Sequence, residues 1–155
     1  MKIKIILTFL VFLGLTNCGY QAIYSSHDEL NYTIEKIEQG GDKNINRTII
    51  STLNLKNKKI QNDSYILKIN SSKKITVTAK DSLGEASVYK LEIFVDIILK
   101  HTNNDGDTKN KQFKKAFLYN NMTNQFDLMQ YQKSVEKNLI KQIADEIRIF
   151  LQQQK

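Results

Sequence analysis

The chain has 155 residues, 41% of them hydrophobic, which is enough for one domain with a real core and too few to make two a natural division. Its formal net charge of +7 is spread through an Asn-, Lys- and Ile-rich sequence without Pro or Trp, so most lysines read as solvated surface. Nucleic acid is not an expected partner, because no recognisable reading motif is interleaved with the basic residues. The single cysteine, Cys18, excludes an intramolecular disulfide.

Lys2 and Lys4 precede an almost uninterrupted apolar run from Ile5 to Leu15, and small or polar residues follow, which is the layout of an export signal. A membrane-spanning helix needs about 20 apolar residues, and this run stops well short at Thr16 and Asn17. Leu15-Thr16-Asn17-Cys18 resembles the lipobox of bacterial lipoproteins, in which the cysteine thiol receives a diacylglyceryl group and becomes the acylated first residue after cleavage. Asn17 stands where Gly, Ala or Ser is usual, and the sequence offers no Ala-x-Ala-like site for the competing cleavage route. At about 0.8 kcal/mol per buried methylene, several acyl chains of the palmitate kind on one residue would hold a protein on a bilayer where one would not. In such lipoproteins an Asp after the cysteine favours the inner membrane, so Gly19 implies the outer one. Cys18-Gly19-Tyr20-Gln21-Ala22-Ile23-Tyr24 further resembles the mature start of the lipopolysaccharide-assembly lipoprotein family LptE, roughly Cys-Gly-Phe-x-Pro-Leu-Tyr-Gly, with Ala22 at the usual Pro and Ser25 at the usual Gly.

Residues 31–39 predict a short first strand with Tyr32, Ile34 and Ile37 as its apolar positions, ending at Gly40-Gly41. Asp42 or Asn44 can cap a helix in which Ile45, Ile49, Ile50 and Leu53 share one face. From Tyr65 the period changes to two: Tyr65, Leu67, Ile69, Ile75 and Val77 fall on one side and Lys68, Asn70, Lys74 and Thr76 on the other, with an interruption expected near Ser71-Ser72. Tyr89, Leu91, Ile93, Val95, Ile97 and Leu99 then alternate with a mixed set, Lys90 to Lys100. Asp105-Gly106 signals a hairpin turn before a last strand around Phe113, Phe117 and Tyr119. Residues 125–152 predict a long helix whose stripe is Leu128, Val135, Leu139, Ile143, Ile147 and Leu151, reinforced by Met129, Ile140 and Phe150.

A one-sided sheet and two amphipathic helices bury each other most simply as an α+β two-layer sandwich, two helices on one mostly antiparallel sheet of about four strands. The LptE family has that arrangement, and Asn124-Gln125-Phe126 and Ala144-Asp145-Glu146-Ile147-Arg148-Ile149-Phe150-Leu151 are similar to the elements that open and close its C-terminal helix. The expected organisation is a lipoprotein signal peptide at 1–17, an acylated segment at 18–30 and a single LptE-like domain at 31–155. The resemblance implies a non-enzymatic lipoprotein anchored through Cys18 in the inner leaflet of the outer membrane. Its partners would be the β-barrel LptD and lipopolysaccharide, and it would face both periplasm and barrel lumen.

Catalytic chemistry finds little support. His27 and His101 lie in different regions and form neither a metal pair nor a Cys/His dyad, and no cofactor is expected. Asn103 to Asp107 superficially suggests a calcium loop, but Lys114 stands where a bidentate Glu is required. The basic clusters Lys73-Lys74 and Lys109, Lys111, Lys114 and Lys115 remain as candidate contacts to lipopolysaccharide phosphates, if neighbouring strand ends bring them together. Exposed lysines on edge strands also block aggregation, which is the competing account. Two other classes stay open: a periplasm-facing lipoprotein that carries a lipid or glycan, and a small hydrolase.

Overall fold

The structure is a computed structural model that describes residues 33–57, 64–104 and 106–153; the export signal, Cys18, Tyr32 and His27 lie outside them. Its elements follow the order strand, helix, three strands, helix: β1 (Thr33–Gly41), α1 (Lys43–Thr52), β2 (Ser64–Lys80), β3 (Ala86–His101), β4 (Thr108–Asn120) and α2 (Gln125–Gln152). The strands form one sheet in the order β1-β2-β3-β4. Both β2–β3 and β3–β4 are antiparallel, while β1 runs parallel to β2 from Thr33 opposite Ser64 to Gly41 opposite Ser71. A parallel pair needs a crossover to bring the chain back to the start of the second strand, and α1 is that crossover.

Side-chain alternation decides what each strand buries. On the side facing the helices, Leu91, Ile93, Val95, Ile97 and Leu99 of β3 are all fully buried, with Leu67 and Ile69 of β2 to one side and Phe113 and Tyr119 of β4 to the other. Against them pack Ile45 and Ile49 of α1 and the α2 stripe from Leu128 through Val135, Leu139, Ile143 and Ile147 to Leu151. Each such burial contributes about 1.5–3 kcal/mol, so the central strand and the α2 stripe carry most of the fold's stability. The other side of the sheet is uncovered by any described element.

Local chemistry sets the helix ends. Asp42 caps α1, its carboxylate accepting from the amides of Asn44 at 2.9 Å and Ile45 at 3.2 Å. Asn124 caps α2 by accepting from the Phe126 amide at 2.9 Å, with Asp127 in the first turn on the favourable side of the helix dipole. At the far end of α1, an Arg148 guanidinium N–H donates to the Thr52 carbonyl at 3.1 Å and ties the two helices together.

The structure departs from the sequence reading at three places. β2 is continuous through Ser71-Ser72, because the buried Ser71 hydroxyl donates to Oδ1 of the equally buried Asn46 at 2.7 Å, and the Asn46 amide donates to the Gly40 carbonyl at 2.7 Å. A polar residue in a core position is tolerated when its hydrogen bond is made. β1 ends at Gly41 as expected, where a φ of +74° lets the Asp42 amide reach the Ser71 carbonyl at 2.9 Å. Ile75 and Val77 lie on the helix-facing side as expected, yet they are half-exposed, because neither α1 nor α2 covers that part of β2. Met129 also stands outside the buried stripe, 53% exposed.

Candidate functional site

Adjacent residues on a strand point to opposite faces, so the lysine pairs are split by the geometry of the strand itself. Lys73, Lys109, Lys111 and Lys115 lie on the helix-facing side, where their cross-strand partners are Ile93, Leu99, Ile97 and again Ile93. Lys74 and Lys114 lie on the open side, opposite Glu92 and Phe94. The structure therefore does not gather these six residues into one patch.

Two of them do share a row. Lys73 and Lys115 flank Ile93, two strand spacings or about 10 Å apart. The helix α2 passes between them: Lys73 Nζ meets Glu136 at 2.9 Å on one flank, and Lys115 pairs with Glu146 on the other. Lys111 stands 5.3 Å from the Phe113 ring centroid and 5.5 Å from that of Phe150, at the end of α2. Lys109 approaches Asp107 at 3.8 Å beside the β3–β4 turn.

On the open face, Glu92 gathers two lysines at once, Lys114 at 2.9 Å and Lys90 at 3.0 Å, both on Oε1. The hydrogen bonds from Lys114 and then Lys90 hold the Glu92 carboxyl below its ordinary range. Lys114 also lies 4.9 Å from the Phe94 ring centroid. Asp96 accepts from the Gln112 amide at 2.8 Å, and Glu38 takes both Lys36 at 2.9 Å and Lys68 at 3.1 Å. Its carboxyl is lowered in the same way, by Lys36 first and Lys68 second. The carboxylates of this face are thus occupied locally, and Lys74 projects from it without an ion pair among the described residues.

No protein-family model matches this sequence, and no curated protein matches it either. Solved structures do. Rare lipoprotein B from Shewanella oneidensis superposes with a TM-score of 0.59 at 15% identity, over 75% of this chain and 92% of its own. A minor lipoprotein from Acinetobacter baumannii gives 0.57 at 14% identity over 78% and 91% of the two chains, and lipoprotein B from Nitrosomonas europaea gives 0.60 at 12% over 79% and 81%. This fold is one that bacterial lipoproteins use.

The remaining candidate residue within the described region, His101, ends β3 in a structural setting: its ring meets Tyr65 edge-on at 4.9 Å and its Nδ1 accepts from the Asn103 amide at 3.1 Å. Among the described residues no helix is long and apolar enough to cross a membrane. The sequence reading missed the Lys90–Glu92–Lys114 cluster, although the alternation of β3 places Lys90 and Glu92 on one face and so contained half of it.

Proposed function

We propose that this protein is an outer-membrane lipoprotein, acylated at Cys18, that partners the β-barrel LptD in lipopolysaccharide transport and assembly at the cell surface. The observation that carries this reading is the position of Cys18: a lipobox-like Leu15-Thr16-Asn17-Cys18 stands shortly before a domain with the fold of rare lipoprotein B. The anchor would confine the domain to the inner leaflet of the outer membrane, and the sandwich would act as a fixed fitting in or against the barrel.

The lysines suit such a role because their present partners are cheap to exchange. A surface ion pair such as Lys73–Glu136 is worth about 0–1 kcal/mol, so a phosphate group arriving at Lys73 or Lys115 competes with one carboxylate and little else. Phosphate also offers more acceptor oxygens than the carboxylate it displaces. Lipopolysaccharide contacts would then form at separate places on the two faces and loosen its aggregates one headgroup at a time.

Two measurements test the reading. Mass spectrometry of the protein purified from its native membrane should show an acylated N-terminal Cys18; an unmodified thiol refutes the anchor. With a tag after Lys155, mild detergent extraction should bring out a large outer-membrane β-barrel in stable complex. Recovery of the intact lipoprotein alone, with a lipid or glycan bound, would establish the carrier reading in its place.

A further inference from the structure

β2 has 17 residues and α1 only 10, about 55 Å against about 15 Å, so one helix cannot cover the strand. The crossover starts at Asp42, held to Ser71 midway along β2, and must run back toward the start of β2 at Ser64. It covers Leu67 and Ile69 and leaves the rest of that side, Lys73, Ile75 and Val77, without a helix above it among the described residues. Ile75 is 40% exposed although its cross-strand neighbour Leu91 is fully buried. Beside this shelf stands α2, which contributes the exposed Met129.

The result is a groove of about 510 Å³ with Asn44 and Thr48 of α1 at one end, Lys73 on its floor, and Met129, Lys133 and Lys137 along the α2 wall. Its one carboxylate, Glu136, is taken by Lys73 at 2.9 Å. Lys133 and Lys137, one helical turn apart, make no ion pair among the described residues. The groove therefore has Met129 and Ile140 as its apolar lining and a basic rim, and the half-exposed Ile75 and Val77 continue the same face of β2 beyond Lys73.

We propose that this groove docks an acidic amphipathic helix of another protein, laid beside α2 where the layer of described helices stops. From Lys73 to Lys80 the strand offers about 23 Å, the length of a helix of about 15 residues. A helix seated at the usual 8–10 Å from α2 would set its apolar stripe on Ile75, Val77 and Met129 and its carboxylates against Lys133 and Lys137. A second copy of this chain would bring two basic rims together, which electrostatics disfavours. An acyl chain is a poorer occupant, because small-molecule pockets normally bury about 70–90% of their ligand, whereas this groove is open to solvent and is crossed by the Lys73–Glu136 ion pair. The proposal is independent of any barrel partner.

The test uses the full-length, 15N-labelled chain and an 18-residue fluorescein-labelled peptide with Leu at i, i+3, i+4 spacing and Glu elsewhere. Saturable binding is expected by anisotropy, with amide shifts clustered at Ile75, Val77, Met129 and Gln132 to Lys137. Lys133→Glu with Lys137→Glu should weaken it at least tenfold, and a peptide carrying Lys for Glu should bind that double variant more tightly than the wild type. Met129→Glu provides a second, independent loss, and Lys114→Glu on the open face should change little. Absence of binding, equal binding of a scrambled acidic peptide, or shifts confined to the open face would overturn the proposal. So would monomeric decyl phosphate occupying the same residues while the acidic helix does not, which would assign the groove to lipid.

Discussion

Asn46 and Ser71 form the buried polar joint between α1 and the parallel strand pair, and a double-mutant cycle on them is the sharpest check of how the fold is held. Asn46 is fully buried; its amide donates to the Gly40 carbonyl and its Oδ1 accepts from Ser71, both at 2.7 Å. In Asn46→Ala the Ser71 hydroxyl is not stranded, because the Asp42 carbonyl lies 3.1 Å away as a second acceptor. The loss is then one carbonyl bond, one shared bond and a small void, about 2 kcal/mol. Ser71→Ala leaves Asn46 Oδ1 without a donor among the described residues, a cost of about 1.5–2 kcal/mol. Because both changes remove the same bond, the double variant should lose only about 2–2.5 kcal/mol, which leaves a coupling of about 1–2 kcal/mol. Urea unfolding followed by circular dichroism gives all four free energies, and Asn46→Ala should lower Tm by roughly 6–10 °C. Strict additivity, or a cost for Asn46→Ala below about 0.5 kcal/mol, would show that this joint is not bonded as described.

A Cβ at Gly41 would stand 1.9 Å from the Ser71 carbonyl oxygen at φ +74°, so Gly41→Ala should cost more than about 2 kcal/mol in the same urea assay, whereas Gly84→Ala, with open space around it, should suffer only from its own φ of +85°. Ile143→Ala opens the fully buried centre of the α2 stripe and is expected to cost about 3 kcal/mol, measured as a shift of the urea midpoint at constant slope. The Glu92 carboxyl is held below its ordinary value of 4.5, so its contribution is complete above that value and disappears as pH falls through the lower folded value. Glu92→Gln should therefore be less stable than wild type at pH 7, and the gap should close in acid unfolding series below pH 4.5; a gap that widens there contradicts the Lys90–Glu92–Lys114 arrangement.

Long periodic segments were legible in the sequence because one physical rule governs each. The α2 stripe and the β3 alternation are dictated by helical and strand periods, and both elements appear with the faces expected, Met129 apart. Ser71 was not legible: its hydroxyl interrupts the apolar alternation, and only the fold brings Asn46, 25 residues earlier, to accept from it. The parallel direction of β1 is likewise a property of the assembled sheet, since Ile34 and Ile37 read the same in either orientation. For the lysines, proximity in sequence was misleading in a way that strand geometry explains. Lys73-Lys74 and Lys114-Lys115 are neighbours along the chain, and the pleat sends each pair to opposite faces. Lys133 and Lys137 were absent from the candidates because a lysine on the polar side of an amphipathic helix looks the same whether water or a groove lies beside it.

The parallel edge strand has a mechanical corollary. The chain enters the sheet at Thr33, level with Ser64, and β1 points from there toward the middle of β2. Tension applied through the preceding segment, with the body held at the β2–β3 hairpin, would drag β1 along its own length, loading the rungs from Thr33 to Gly41 together instead of unzipping them one by one. The bulge at Glu35 adds a catch to that track, its carboxylate accepting from Ser64 at 3.2 Å and Thr102 at 3.1 Å. A leash fastened at this corner would pull against the strongest direction the strand has.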